Sequence, residues 1–289
     1  MDKNFGQLPI FLLVVLWATY GPLLRFFEAI DVNPIDLNFL SFATGTVLFF
    51  VFFRLKKIKI GLPGKNEAKK FAVYAVSLLS TNLFLFYAFT KTTLANTIVL
   101  HYTALFWASI AAVFLFNEKP TRWKIVSFAL AVAGIAVIFF PGISLSQEYL
   151  EGNLFALASS FGYAGIILAS RSLKNTEQKK ASFYAMFFSA ILSAPLFLVF
   201  GSIKNFTQLA SIVSFGAFYN TAESVMLIYG MSSVSVIAAG LILVLEIPLT
   251  ALFGVVLFSE SISVNTIAGG LLIMAGTVIL ITKEKTSKA

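Results

Sequence analysis

Three ionisable side chains sit deep inside long apolar stretches of this chain: His101, Glu223 and Glu246. A charge at the centre of a bilayer costs about 2.5–3.5 kcal/mol on insertion scales, so each of the three needs a partner or a task. Glu246 stands two residues before Pro248, which removes a backbone donor and bends a helix, and four before Thr250, on one helical face. Such a carboxylate binds an ammonium group or carries a proton; the plainer alternative is a protonated glutamate hydrogen-bonded to a neighbouring helix. Glu223 shares a stripe with Gly216, Asn220 and Ser224, the pattern of a wet or helix-packed face. It is read as a second cavity acid, against a structural hydrogen bond with Asn220. His101 stands on one face with Thr97, Ala104 and Ala108. An imidazole titrates near pH ~6.5, which suits a proton acceptor or a glutamate's partner, although a lone histidine is more often a satisfied structural group. With one histidine and no cysteine, no metal site and no cofactor is expected.

Aromatic and amide side chains complete the candidate set. Trp17 and Tyr20 lie deep in the first apolar stretch, away from the headgroup belt where tryptophan usually sits. They either stack on a solute or fill space. Asn82, Tyr87, Tyr102, Tyr163 and Asn220 are further solute-binding candidates. The 32 phenylalanines are assigned to lipid-facing bulk. Pro22 and Pro195 are candidate hinges, and Glu118 and Glu260 are read as caps at helix starts.

These residues must be held by membrane helices. Apolar residues make up 58% of the chain and charged residues 12%, with mean hydropathy +0.90, far from the half-apolar, quarter-charged balance of soluble domains. Ten spans are expected, near 7–27, 34–53, 68–90, 95–116, 121–140, 152–171, 182–201, 208–230, 234–258 and 262–282. At about 20 residues each they leave only short loops, so the 289 residues form a single membrane domain. Asn33-Pro34 and Lys119-Pro120 are helix-start signals and Pro141-Gly142 ends the fifth span. With the N-terminus placed in the cytoplasm, 18 of the 21 lysines and arginines fall inside; only Arg25, Lys91 and Lys204 fall outside. That asymmetry supports both span count and orientation. It also makes the net charge of +8 a membrane-surface feature, so no nucleic-acid partner is expected.

The two halves echo each other. Trp17-Ala18 with Arg25 matches Tyr163-Ala164 with Arg171 at a shift of 146, and Glu118 with Ala133-Gly134 matches Glu260 with Ala275-Gly276 at a shift of 142. Five spans per half is an odd number, so the second half enters the membrane inverted. The fold expected is an all-α integral membrane protein, ten transmembrane helices as two inverted five-helix repeats (1–143 and 144–289) around a central cavity. Inverted repeats are the architecture of alternating-access carriers.

Trp17-Ala18-Thr19-Tyr20, Tyr87-Ala88 through Thr92-Thr93-Leu94-Ala95-Asn96, Asn117-Glu118 into Trp123 and Gly134, Glu246-Ile247-Pro248, Ser259-Glu260 and Ala268-Gly269-Gly270 through Gly276 occur in this order. In that order the chain resembles the drug/metabolite transporter superfamily, EamA type. The resemblance covers essentially the whole sequence. Departures are Asn117 and Ser259 where the family often has glycine, Tyr163 where a second tryptophan often stands, and no arginine near Ser41. The resemblance implies a ten-helix basket whose spans one, three, four, six, eight and nine line the cavity, with both termini cytoplasmic. It implies transport of small metabolites, commonly amino acids or their relatives outward, by gradient coupling or exchange.

The reading is therefore a secondary transporter, an exporter or exchanger of amino acids or related amines, in a prokaryotic inner membrane. No phosphate-cradling loop for ATP is present. Flipping of a lipid-linked sugar is the alternative; a channel or a membrane-embedded transferase has less support, since neither charge rings nor clustered acids at a surface stand out. The expected partners are a small solute and membrane lipids, with a homodimer as one use of Gly269-Gly270 and Gly276.

Overall fold

The computed structural model describes residues 7–143, 146–258 and 263–286. Regular structure among the described residues is helical: α1 (Leu8–Ala18), α2 (Tyr20–Ala29), α3 (Pro34–Leu55), α4 (Lys65–Lys91), α5 (Leu94–Tyr102), α6 (Ala104–Phe116), α7 (Arg122–Phe139), α8 (Leu150–Ser172), α9 (Gln178–Phe200), α10 (Phe206–Phe215), α11 (Thr221–Ser233), α12 (Val236–Leu243), α13 (Glu246–Phe258) and α14 (Val264–Thr286). Eight spans are long and apolar enough to cross a membrane alone, two of them made of consecutive helices: α5 with α6, and α12 with α13. The α1–α2 pair forms the first crossing, and α10 and α11, joined by a π-helical turn over Gly216–Asn220, form the eighth. Ten crossings result, as the hydropathy pattern predicts.

Four of the ten crossings are interrupted, and most interruptions have a local cause. Pro22 has no N–H to bond the Ala18 carbonyl, so the chain tightens at Thr19, whose N–H bonds the Leu16 carbonyl at 3.1 Å. Pro248 likewise leaves the Val244 carbonyl without its usual partner; Ile247 N–H takes it instead at 3.1 Å, and α12 gives way to α13. In the fourth crossing no proline is present. There the Thr103 hydroxyl donates to the Leu100 carbonyl at 2.6 Å and the helix breaks, a known effect of threonine back-bonding. In the eighth, the Thr221 hydroxyl donates to the Gly216 carbonyl at 2.8 Å and holds the π turn.

The internal shift of 142 reappears in the caps. Thr93 caps α5 by accepting from Asn96 N–H at 3.1 Å, and Ser235 caps α12 by accepting from Ala238 N–H at 3.2 Å. Thr121 and Ser263 cap α7 and α14 in the same way. The packing of α7 on α14 has the symmetry of an inverted pair. A methyl built on Gly134 would lie 2.6 Å from the Gly269 carbonyl oxygen, and one on Gly276 would lie 2.8 Å from the Ser127 carbonyl oxygen. Ser127 and Gly134 advance along α7 while their partners Gly276 and Gly269 recede along α14, so the helices are antiparallel. Each contact is the other's image under the 142-residue shift, as an isologous interface requires. The axis relating them is perpendicular to both helices, in the plane of the membrane. Gly270 packs on Pro248, so all three glycines of the tenth span serve contacts within one chain.

Asn117 ends α6 with φ +53°, in the left-handed region. Glycine and asparagine are the residues that take this conformation at a helix end, which accounts for asparagine at a position where the resemblance suggests glycine. Ser259 and Glu260 lie outside the described residues.

Candidate functional site

The helix interruptions place the candidate side chains. Tyr102 is the last residue of α5 and His101 precedes it; Glu246 is the first residue of α13; Glu223 is in the first turn of α11, just after the π turn; Trp17 is one residue from the end of α1. Tyr163 sits on a continuous helix, α8, and Asn82 and Tyr87 on another, α4. The π turn before Glu223 and the break before Pro248 at Glu246 set both acids where the helix ladder is locally irregular. Broken helices presenting their ends at mid-membrane are a recurrent way to build a solute site.

Each glutamate has one donor among the described residues. Trp17 Nε1–H donates to Glu223 Oε1 at 3.0 Å, and the Tyr102 hydroxyl donates to Glu246 Oε2 at 2.9 Å. Both glutamates are half-buried although they lie midway along the bundle. No ion pair among the described residues involves either. Each therefore keeps a second oxygen for a ligand or a proton.

Tyr163 joins the two acids into one site. Its ring stacks on His101 with centroids 4.9 Å apart and planes 3° from parallel, and meets Trp17 edge-on at 5.7 Å and Tyr102 at 6.3 Å. Tyr163 thus touches the donor of each acid, Trp17 of Glu223 and Tyr102 of Glu246. The Tyr163 hydroxyl is buried and has no hydrogen-bond partner among the described residues. A buried hydroxyl without a partner costs roughly 1–3 kcal/mol, which a polar ligand would recover.

His101 is buried, and its Nδ1 lies 2.9 Å from Ser159 Oγ. Ser159 uses its own proton on the Ala156 carbonyl at 2.6 Å. Its oxygen must therefore accept from His101, which fixes the proton on Nδ1 and leaves the Nε2 lone pair as the available base. Ser159, four residues before Tyr163 on α8, escaped the sequence reading; its spacing from Tyr163 is the signal that points to it.

The remaining candidates go elsewhere. Tyr20 packs on Tyr219 and Phe215, one turn beyond Trp17. Asn82 donates to Asn38 at 2.6 Å and Asn220 donates to Ser41 at 2.8 Å, so both amides tie their helices to α3. Glu223 thus pairs with Trp17 and not with Asn220. Tyr87 is 47% exposed beside Phe86 and Phe155, on the outer surface of the bundle. Glu118 does not cap its own helix. It reaches into the other half and accepts from Val236 N–H at 2.8 Å and Ile237 N–H at 3.3 Å, capping α12.

A bundle of broken membrane helices around half-buried acids is that of a membrane transporter. The EamA-like transporter family model matches residues 4–140 and again 150–282, and the chain belongs to that family, whose members are transporters and not enzymes. It is 22% identical over 277 residues to a transporter of unassigned substrate from Archaeoglobus fulgidus, covering 96% of both chains. It is 22% identical over 298 residues to another from Clostridium kluyveri, covering 97% of this chain and 94% of that one. A crystal structure with 19% identity superposes with TM-score 0.81, covering 96% of this chain and 97% of the other, and shares its fold.

Proposed function

We propose that this chain is a secondary carrier for small solutes bearing an amino group, amino acids or related amines, acting as an exporter or exchanger by alternating access. The observation that carries this reading is the pair of half-buried glutamates, each with one neutral donor, held about Tyr163. Two carboxylates with no lysine or arginine paired to them among the described residues favour a cationic or zwitterionic solute. Trp17, Tyr102 and Tyr163 supply aromatic faces and edges, against which an ammonium group is stabilised by about 0.5–2 kcal/mol. Protonation of Glu246, Glu223 or His101 would couple movement to a proton gradient. A prokaryotic inner membrane with both termini in the cytoplasm fits the lysine and arginine distribution.

A second reading draws on an apolar cleft of about 500 Å³ between α1–α2 and α10, lined by Leu16, Leu23, Phe27, Ser214, Phe218 and Tyr219 among others. Its walls are mostly apolar, as a lipid chain requires, which favours flipping of a lipid-linked sugar. The deciding experiment is a thermal-shift screen of amino acids, amines and nucleosides on purified protein, followed by counterflow in proteoliposomes with the best solute. A carrier is stabilised by its solute and shows trans-stimulation. No stabilisation by any of these solutes, together with movement of lipid-linked sugar, would favour the second reading.

A further inference from the structure

We propose that Glu118 and Arg171 form the gate on the lysine-rich face, and that the carrier must release this clasp to open there. The proposal rests on the alternating-access reading above.

The clasp joins the ends of four crossings. Glu118 follows α6 and caps α12 through Val236 and Ile237. Arg171, in the last turn of α8, donates to the carbonyls of Met231 at 2.8 Å and Ser232 at 3.3 Å, the free end of α11. Its Nε lies 3.8 Å from Glu118 Oε1. The two side chains are only 8% and 16% exposed. An acid thus sits on a positive helix start and a base on a negative helix end, and each faces the other. All of this is at the end of the bundle that carries Lys174, Lys179 and Lys180.

Between the clasp and the two glutamates the interior is solid. Ile10, Leu13, Ile167, Leu227, Ile228 and Met231 are fully buried there. Gly230 brings α11 so close to α1 that a methyl on it would lie 2.6 Å from Ile10 Cγ1. Glu223 and Glu246 nevertheless keep partial exposure, and with this side solid we assign their access to the opposite face. The structure is closed on the lysine-rich side and the clasp is the polar lock on that closure. Opening requires α8 and α11 to part from α6 and α12, which breaks the ion pair while Glu118 stays on the start of α12 and Arg171 on the end of α11. The apolar plug beneath separates with them.

The chain contains no cysteine, which makes the test direct. A single cysteine at Met231, within the plug, is labelled with a membrane-impermeant maleimide in vesicles that expose the lysine-rich face. Labelling is expected to be slow with the clasp intact and roughly tenfold or more faster with Glu118→Gln or Arg171→Ala, because the closed state loses a buried charged contact. In a second arm Glu118 and Arg171 are both replaced by cysteine and bridged by a short bifunctional methanethiosulfonate. Bridging is expected to stop counterflow, and dithiothreitol to restore it, a reversal that a merely misfolded protein does not show. Unchanged labelling in both single variants, or full counterflow by the bridged protein, overturns the gate. Absence of counterflow in the wild-type protein with any solute overturns the carrier reading instead, and the labelling arm still reports on the clasp.

Discussion

Replacing Glu246 by glutamine isolates the role of one charge at the site. The amide keeps an oxygen where Glu246 Oε2 now accepts from Tyr102 at 2.9 Å, so the local hydrogen bond and the volume survive. What disappears is the negative charge and with it a charge-assisted bond to the solute. Hydrogen bonds to charged groups contribute about 1.5–3 kcal/mol. The dissociation constant for a cationic solute should therefore rise about 10- to 150-fold. The stability of the empty protein should move by less than about 1 kcal/mol, since no buried donor is orphaned. Calorimetric titration of the purified protein measures the first quantity and thermal unfolding the second. Counterflow should fall while the protein still reaches the membrane. Wild-type affinity and full counterflow at every pH tested would refute a charged role for Glu246.

Other consequences follow from single contacts. Tyr163→Phe removes a buried hydroxyl without a partner among the described residues, so the empty protein should unfold at the same temperature or higher while solute affinity falls about 3- to 10-fold, as expected for one neutral hydrogen bond; a large loss of stability would show that the hydroxyl has a partner. Gly134→Ala places a methyl 2.6 Å from the Gly269 carbonyl oxygen and 2.7 Å from Ile273 Cγ1, and should destabilise the α7–α14 crossing by about 1–3 kcal/mol, read as a lower unfolding temperature. Asn117 holds a left-handed helix end, so Asn117→Gly should be tolerated whereas Asn117→Val should cost about 1–2 kcal/mol; equal stability of the two variants would contradict that assignment.

The fold was legible because its signals are repeated and local. Hydropathy marks the ten crossings, and the matched Glu118 and Glu260 with Gly134 and Gly276 set the register that the caps at Thr93, Ser235, Thr121 and Ser263 share. The acids were legible because a carboxylate in an apolar helix costs too much to be incidental. Their partners were not. Trp17 and Glu223 are 206 residues apart, and nothing in either helix's own spacing encodes the pairing. The stripe that groups Asn220 with Glu223 is real as a face of α11 and the π turn, but the turn rotates Asn220 toward Ser41 on α3. Pro22 and Pro248 announced bends, whereas the break at Thr103 arises from a hydroxyl competing with the helix ladder and has no equivalent signal. Glu118 looks like a local cap from its position before α7; its real acceptor role depends on α12 from the other half arriving within reach.

The claim on which the account depends is that Glu223 and Glu246 serve one solute together. A double-mutant cycle on solute affinity, using wild type, Glu223→Gln, Glu246→Gln and the double variant, measures it. Groups that share a ligand should show an interaction energy of at least about 0.5 kcal/mol, with the double variant departing from the sum of the singles. Two effects that simply add, or no effect of either substitution, would contradict a common site.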